Sequence, residues 1–401
     1  MVNSGRHGGI TNGVVEPVWH NVEYSYTDTA NFRGWLAGDA TLGRYGRYHN
    51  PSWRRVEQRI ADLEEYDDAV LFPSGMAALT AVLLTFARAG DTVAYCRHSY
   101  RQLHAVINEV AEPHGLTAVA LDQRDPDEFD RLLKKLAAED SFRLCLLEVP
   151  SNPHLYMVDV ESARQILGPD RLLAVDSTFA SPLFSDPHRF GADMVIHSCT
   201  KYIGGHGDVM AGAVAGSSEV IDRLRRFRDI TGVIPDPGAA FLLNRSLDTL
   251  RIRMRHYGET ASEIARFLES QPWVRQVFHT SLPSHPHAEL VSRFLHGHAG
   301  VLAFELEADE AATAAFVDAL EIPYMTSGFG STRSLIEQLS VFTFYRVSAA
   351  ERESLGITDS LVRLSVGMET ADELIADMKQ AAARTLDTSR SAVLVQEEWK
   401  P

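Results

Sequence analysis

The stretch HSCTKYIGGHGDVMAG, residues 197–212, sets Lys201 beside the small hydroxyl residues Ser198 and Thr200 and just ahead of a run of glycines. A lysine at the inner mouth of a buried sheet has its ammonium partly desolvated. That lowers its pKa and makes the amine a nucleophile toward a carbonyl. In LLAVDSTFASP a buried run ends at Asp176, where an unpaired carboxylate is costly and calls for a cationic partner. In FPSGMAAL, Ser74 and Gly75 stand where the run AVLF gives way to a helical pattern, so first-turn N–H groups point outward and attract phosphate. LLEVPSNP ends another run at Glu148 and continues into Asn152. Singly, each has an ordinary alternative as a helix cap or turn residue. Together, a reactive amine, a buried acid and a phosphate seat match the three needs of pyridoxal 5′-phosphate: an imine at its aldehyde, a carboxylate at its ring nitrogen and N–H or hydroxyl donors at its phosphate.

Such groups converge only if several strands end at one edge. From residue 68 onward, strand-sized runs without polar alternation (AVLF, DTVAY, TAVAL, RLCLLEV, LLAVD, ADMVIHS) alternate with amphipathic stretches. That is the βαβ signature of a doubly wound α/β sheet, and ligands sit at the carboxyl ends of its strands. The pattern places this large domain over residues 55–250. Residues 1–54 read as an extended arm that packs on a neighbouring subunit, although Trp53, Val56, Ile60 and Leu63 begin one face of a helix. A single long helix is expected through RSLDTLRIRMRHYGETASEIARFLES, and residues 251–401 form a smaller α+β domain ending in a loose tail.

The 401 residues are 45% hydrophobic and 23% charged, enough for a large core and about two or three domains. Thirty-eight basic against 54 acidic residues give a net charge of −16, which disfavours a nucleic-acid backbone as partner. Three cysteines form no spaced framework, and His285 and His287 lack a metal-binding helical spacing, so no metal is expected. No run suits a signal peptide or a membrane span, and a cytoplasmic location is expected.

The ordered set YGRYHNP, PSGMAAL, EVPSNP, VDSTF, HSCTKYIGGHGD, SLDTLRIRMRHY, LPSHP and LVRLSVGME resembles the Cys/Met-metabolism family of fold-type-I PLP-dependent enzymes. That family holds cystathionine γ-synthase, cystathionine γ-lyase, methionine γ-lyase and O-acylhomoserine sulfhydrylases. The resemblance spans about residues 40–385. It implies a large doubly wound domain with a mixed or parallel sheet and a smaller C-terminal α+β domain. It implies Lys201 as the imine-forming lysine and proton shuttle, Asp176 on the ring nitrogen, and Asn152 and Thr178 steadying the ring. Gly75, Met76, Ser198 and Thr200 would hold the phosphate. Tyr100 would stack on the ring and exchange a proton with the leaving group. Tyr45 and Arg47 would reach the neighbouring subunit's phosphate, making a homodimer or homotetramer with shared active sites, and Tyr45 would also meet substrate. Arg363 would clamp the substrate α-carboxylate.

The activity this implies is γ-replacement or γ-elimination on a γ-substituted amino acid through a vinylglycine-type intermediate, with a nucleophilic co-substrate in the first case. Alternatives are a conventional cystathionine or methionine γ-lyase, an aminotransferase, or a PLP-carrying binding protein. Two departures from the family pattern bear on the choice. In SGFGSTRSLIEQ, Gly328 stands for a usual serine and Arg333 for a frequently acidic residue; in VFTFYRV, Phe342, Phe344 and Tyr345 replace smaller or polar residues. Arg333 is therefore expected to receive an anionic part of the substrate or acceptor against an aromatic wall. Such a pocket suits specialised metabolism, with S-adenosylmethionine as γ-donor and a nucleotide-like acceptor.

Overall fold

The structure is a computed structural model and describes residues 14–39 and 43–386. Apolar runs in the first half become β1 (Asp68–Phe72), β2 (Thr92–Cys96), β3 (Thr117–Leu121), β4 (Phe142–Glu148), β5 (Leu172–Asp176), β6 (Met194–His197) and β7 (Gly212–Gly216). They form one sheet in the order β1-β7-β6-β5-β4-β2-β3. Alternate residues feed opposite faces. Ala69 and Leu71 join a cluster with Trp53, Val56 and Ile60, whereas Val70 and Phe72 join one with Ala78, Val82 and Ile221. Burial on both faces explains why these runs lack polar alternation.

The sheet is mixed. β7 runs antiparallel to both neighbours, with Val214 opposite Val70 and Ile196. The cause is local: only the loop carrying Lys201 joins β6 to β7, and without a crossover helix the chain must return antiparallel. The chain also moves outward from β2 to β3 and then crosses back to β4 on the other side of β2, so the carboxyl ends of β2 and β4 open a crevice between them.

The second sheet holds β8 (Val274–Phe278), β9 (Val301–Leu306), β10 (Tyr324–Met325), β11 (Leu335–Gln338) and β12 (Leu361–Ser365), in the order β10-β11-β12-β9-β8. Strands β7, β8, β10 and β11 were not expected from the sequence; β10 and β11 are short, and β8 and β10 carry exposed residues.

Two helical expectations are corrected. The long helix after residue 244 is two helices, Pro237–Leu247 and Leu250–Glu269, broken at Asp248 and Thr249. Buried Arg253 stabilises the break by donating to Ser246 O at 2.9 Å and to Tyr202 O at 2.7 Å, which also braces the Lys201 loop. The arm is not wholly extended: Asp28 caps a helix, Thr29–Leu36, by accepting from Asn31 N at 2.8 Å. The next helix begins at Pro51, capped by Asn50, so it starts inside the segment expected to be arm. The C-terminal tail lies outside the described residues.

Candidate active site

Lys201 sits in the turn after β6. Its N–H donates to Ser198 O (3.1 Å) and its carbonyl accepts from Gly205 N (2.7 Å). Nζ lies 4.8 Å from the centre of the Phe329 ring, which stacks on Phe179 at 4.4 Å. Burial pushes the amine down to about 8; the Arg363 charge adds to this and Glu337 opposes it. Gly330, at φ +76°, lets the second sheet's loop approach, since a Cβ there would lie 2.7 Å from Tyr202 N and 2.9 Å from Lys201 C.

Two acids stand side by side because β4 and β5 pair in parallel with Glu148 beside Asp176. Asp176 Oδ1 accepts from Thr178 N (3.0 Å) and Thr178 Oγ1 (2.5 Å), and that hydroxyl in turn accepts from Ser198 N (2.9 Å). No hydrogen bond reaches Asp176 Oδ2 among the described residues. Glu148 accepts from the backbone N–H groups of Tyr100 and Asn152, each at 2.7 Å. Burial raises both carboxyls. Glu148 is pushed up to about 8 with Asp176's charge as second cause, while the Thr178 hydrogen bonds restrain the rise at Asp176. A cation at the free Asp176 oxygen would relieve this strain.

The helix Gly75–Phe86 begins beside this pair. Ser74 caps it by accepting from Ala77 N at 3.1 Å, which leaves the N–H groups of Gly75 and Met76 without a partner among the described residues. A Cβ at Gly75 would lie 2.7 Å from Ser198 Cβ and 2.9 Å from its Oγ, so only glycine keeps this cradle open. Thr200 is less free than expected, because its hydroxyl donates to Ala211 O (3.2 Å) and accepts from Ala211 N (3.1 Å).

A crevice of about 220 Å³ opens over Lys201, walled by Tyr100, Asn152, Phe342, Tyr345 and Arg363 among others. Arg363 donates to Asn152 Oδ1 (2.9 Å) and Gly328 O (3.3 Å) and pairs with buried Glu337 at 2.5 Å. Glu337 and Arg363 are direct partners in the β11–β12 register. Tyr100 is 41% exposed at the mouth, and desolvation on its crevice side, first among several causes, holds its phenol above the ordinary value.

Arg333 does not join this site. It is exposed on the turn before β11, held there as Ser334 N and Oγ donate to Glu369, and it is not part of the crevice wall. Phe344 also turns away, buried against Ala303, Leu339 and Leu361. Tyr45 and Arg47 lie apart from the crevice of their own chain; Arg47 donates to Asp229 O and to Tyr48 Oη at 3.1 Å. The sequence reading missed Phe179, Phe329, Arg101 and Glu337. Only Glu337 carried a signal, an acid inside the apolar run LIEQ.

The family profile described as "Cys/Met metabolism PLP-dependent enzyme" matches residues 1–383. The chain belongs to this family. It is 34% identical over 375 residues to "Cystathionine gamma-synthase 1, chloroplastic" of Nicotiana tabacum, covering 93% of this chain and 69% of that one. It is 35% identical over 340 residues to "L-methionine gamma-lyase" of Fusobacterium nucleatum subsp. polymorphum, covering 84% and 85%. The crystal structure of cystathionine γ-synthase from Xanthomonas oryzae pv. oryzae in complex with cystathionine superposes with a TM-score of 0.88 at 32% identity, covering 94% and 95%. The fold is therefore that of the fold-type-I PLP-dependent enzymes, and the family's cofactor is pyridoxal 5′-phosphate. The residues present fit that cofactor: a cradle closed to any Cβ at Gly75, an unpartnered Asp176 oxygen and a desolvated Lys201 amine. No helix among the described residues is long and apolar enough to cross a membrane.

Proposed function

We propose that this chain replaces or eliminates the γ-substituent of an α-amino acid with pyridoxal 5′-phosphate as cofactor. The observation that carries the reading is a desolvated Lys201 amine facing Arg363 across one small crevice. The bound cofactor supplies an electron sink that makes hydrogens on Cα and Cβ acidic. Gly75 and Met76 N–H and Ser198 Oγ would hold its phosphate, Asp176 its ring nitrogen, and Lys201 its aldehyde.

Arg363 receives the substrate α-carboxylate. Its guanidinium is already aimed by Asn152 and Glu337, so little side-chain entropy is lost on binding. With a pKa of about 8, Lys201 can both take and return a proton near neutral pH. Tyr100, kept protonated by burial, can donate at the departing group on Cγ. The Phe179–Phe329 stack excludes water beside the amine.

A panel of γ-substituted amino acids with product masses tests the proposal. Loss or exchange of the γ-group is the expected result, and a 2-oxo acid with its γ-group intact would instead mark an aminotransferase. S-adenosylmethionine belongs in the panel because Tyr345, 59% exposed, and Phe342 offer faces to a sulfonium cation. We read Tyr45 and Arg47 as serving a neighbouring subunit's phosphate, because they lie outside their own crevice while Tyr45 is 38% exposed. Sedimentation equilibrium should then give a dimer or tetramer, and a monomer with full activity refutes that role.

A further inference from the structure

A second cavity, of about 210 Å³, lies against the crevice and shares Arg101 and Asn152 with it. The partition is the segment 342–347. Phe342, Thr343 and Tyr345 line the crevice, while Phe344, Arg346 and Val347 line the second cavity. Arg101 pins this partition by donating to Thr343 O at 3.1 Å. Nothing in the chemistry above uses the second cavity.

Its wall holds cationic groups with unspent donors. The Arg97 guanidinium, just past β2, makes no hydrogen bond or ion pair among the described residues. Arg101 spends only one N–H, and Arg346 lies 5.1 Å over the Tyr345 ring without an ion pair among the described residues. Glu109 and Glu351 also line the cavity, as do His98 and His104, whose pKa values burial lowers. Three guanidinium groups therefore face two carboxylates, and Glu109 and Glu351 are both exposed. Arg346 is exposed as well, but Arg97 and Arg101 are part-buried, and part-buried arginines without counter-charges are costly unless an anion completes them. The turn Ile107–Ala111, which brings Asn108 and Glu109 to the wall, is a π-helix, a rare form that often accompanies ligand sites.

We infer that this cavity binds the oxyanion, carboxylate or phosphate, of a second substrate that attacks Cγ from across Arg101, so the chain is a γ-replacement enzyme. This rests on the proposed γ-chemistry, since elimination consumes only water and needs no second anion site. In the exchange, the bond from Cγ to its substituent breaks with its electron pair on the substituent. The nucleophile's lone pair forms the new bond, and its proton leaves with an anionic departing group, or passes to solvent when a sulfonium donor releases a neutral thioether. No oxidant or reductant is required.

The test gives the holoenzyme one γ-substituted donor and three thiols: neutral 2-mercaptoethanol, carboxylate-bearing 3-mercaptopropionate and thiophosphate. At least one anionic thiol should exceed the neutral one by about tenfold in kcat/KM, as one charge-assisted contact allows. The ratio should fall toward one in Arg97→Gln and in Arg346→Gln, and the better anionic thiol identifies the source of the oxyanion. Equal use of charged and neutral thiols, or an unchanged ratio in Arg97→Gln, overturns the inference. Should no donor lose its γ-group, the parent reading fails, and calorimetric titration of the holoenzyme with propionate and inorganic phosphate decides the subsite by itself. Binding lost in Arg97→Gln supports it; binding that survives Arg97→Gln but disappears in Arg363→Gln places the anion in the crevice and refutes it.

Discussion

Lys201→Ala is expected to lower turnover of γ-substituted amino acids by at least about 10³-fold, because it removes both the imine-forming amine and the proton shuttle. Lys201→Arg should fall as far, since a guanidinium keeps the charge but is neither nucleophile nor base near neutral pH. Borohydride reduction in the presence of pyridoxal 5′-phosphate should trap an adduct on Lys201 in the unaltered protein and none at that position in either variant. The unaltered protein adds a pH signature. Burial first, and the Arg363 charge second, push this amine down to about 8. Below that pH the amine is protonated and unreactive, so trapping should climb as pH rises toward about 8 and level off above it. A rise that continues to the ordinary lysine range near ~10.4 would mean that the crevice does not desolvate Lys201. Unchanged circular dichroism in the variants separates loss of chemistry from loss of fold.

Asp176→Asn should keep the fold and cost about 10²-fold in kcat, equivalent to roughly two pKa units of lost charge stabilisation at the ring nitrogen. The amide oxygen can still accept from Thr178 N and Oγ1, so the loop between β5 and Ser198 stays in place. What disappears is the negative charge. Glu148 is poorly suited to replace it, because burial and the neighbouring Asp176 push its carboxyl up to about 8 and both its oxygens already accept backbone N–H groups. Steady-state kinetics and a fluorescence titration of cofactor binding measure the effect. Turnover within threefold of the unaltered protein would remove Asp176 from its assigned role.

Much of this site can be read along the chain. Gly75, Asn152, Asp176 and Lys201 each follow or end an apolar run, and in a sheet whose strands alternate with helices such ends share one edge. The spacing of apolar residues therefore determines both that these groups meet and what chemistry they offer.

Other features escape that rule because a side chain's direction depends on partners far away in sequence. Arg333 sits two residues before β11, where contacts from Ser334 to Glu369 orient its turn toward solvent. Glu337 faces Arg363 only because β11 and β12 pair antiparallel in one register, and a shift of one residue would have pointed each to the opposite face. Phe342 and Phe344, alike in type, part company on either side of the partition between two cavities. The break at Asp248 belongs to the same class, because it follows from where Arg253 finds its carbonyl partners. The sequence by itself determined the reactive groups and the edge they share. Tertiary structure decided which charges face inward, because register and long-range pairing leave no local trace in the order of residues.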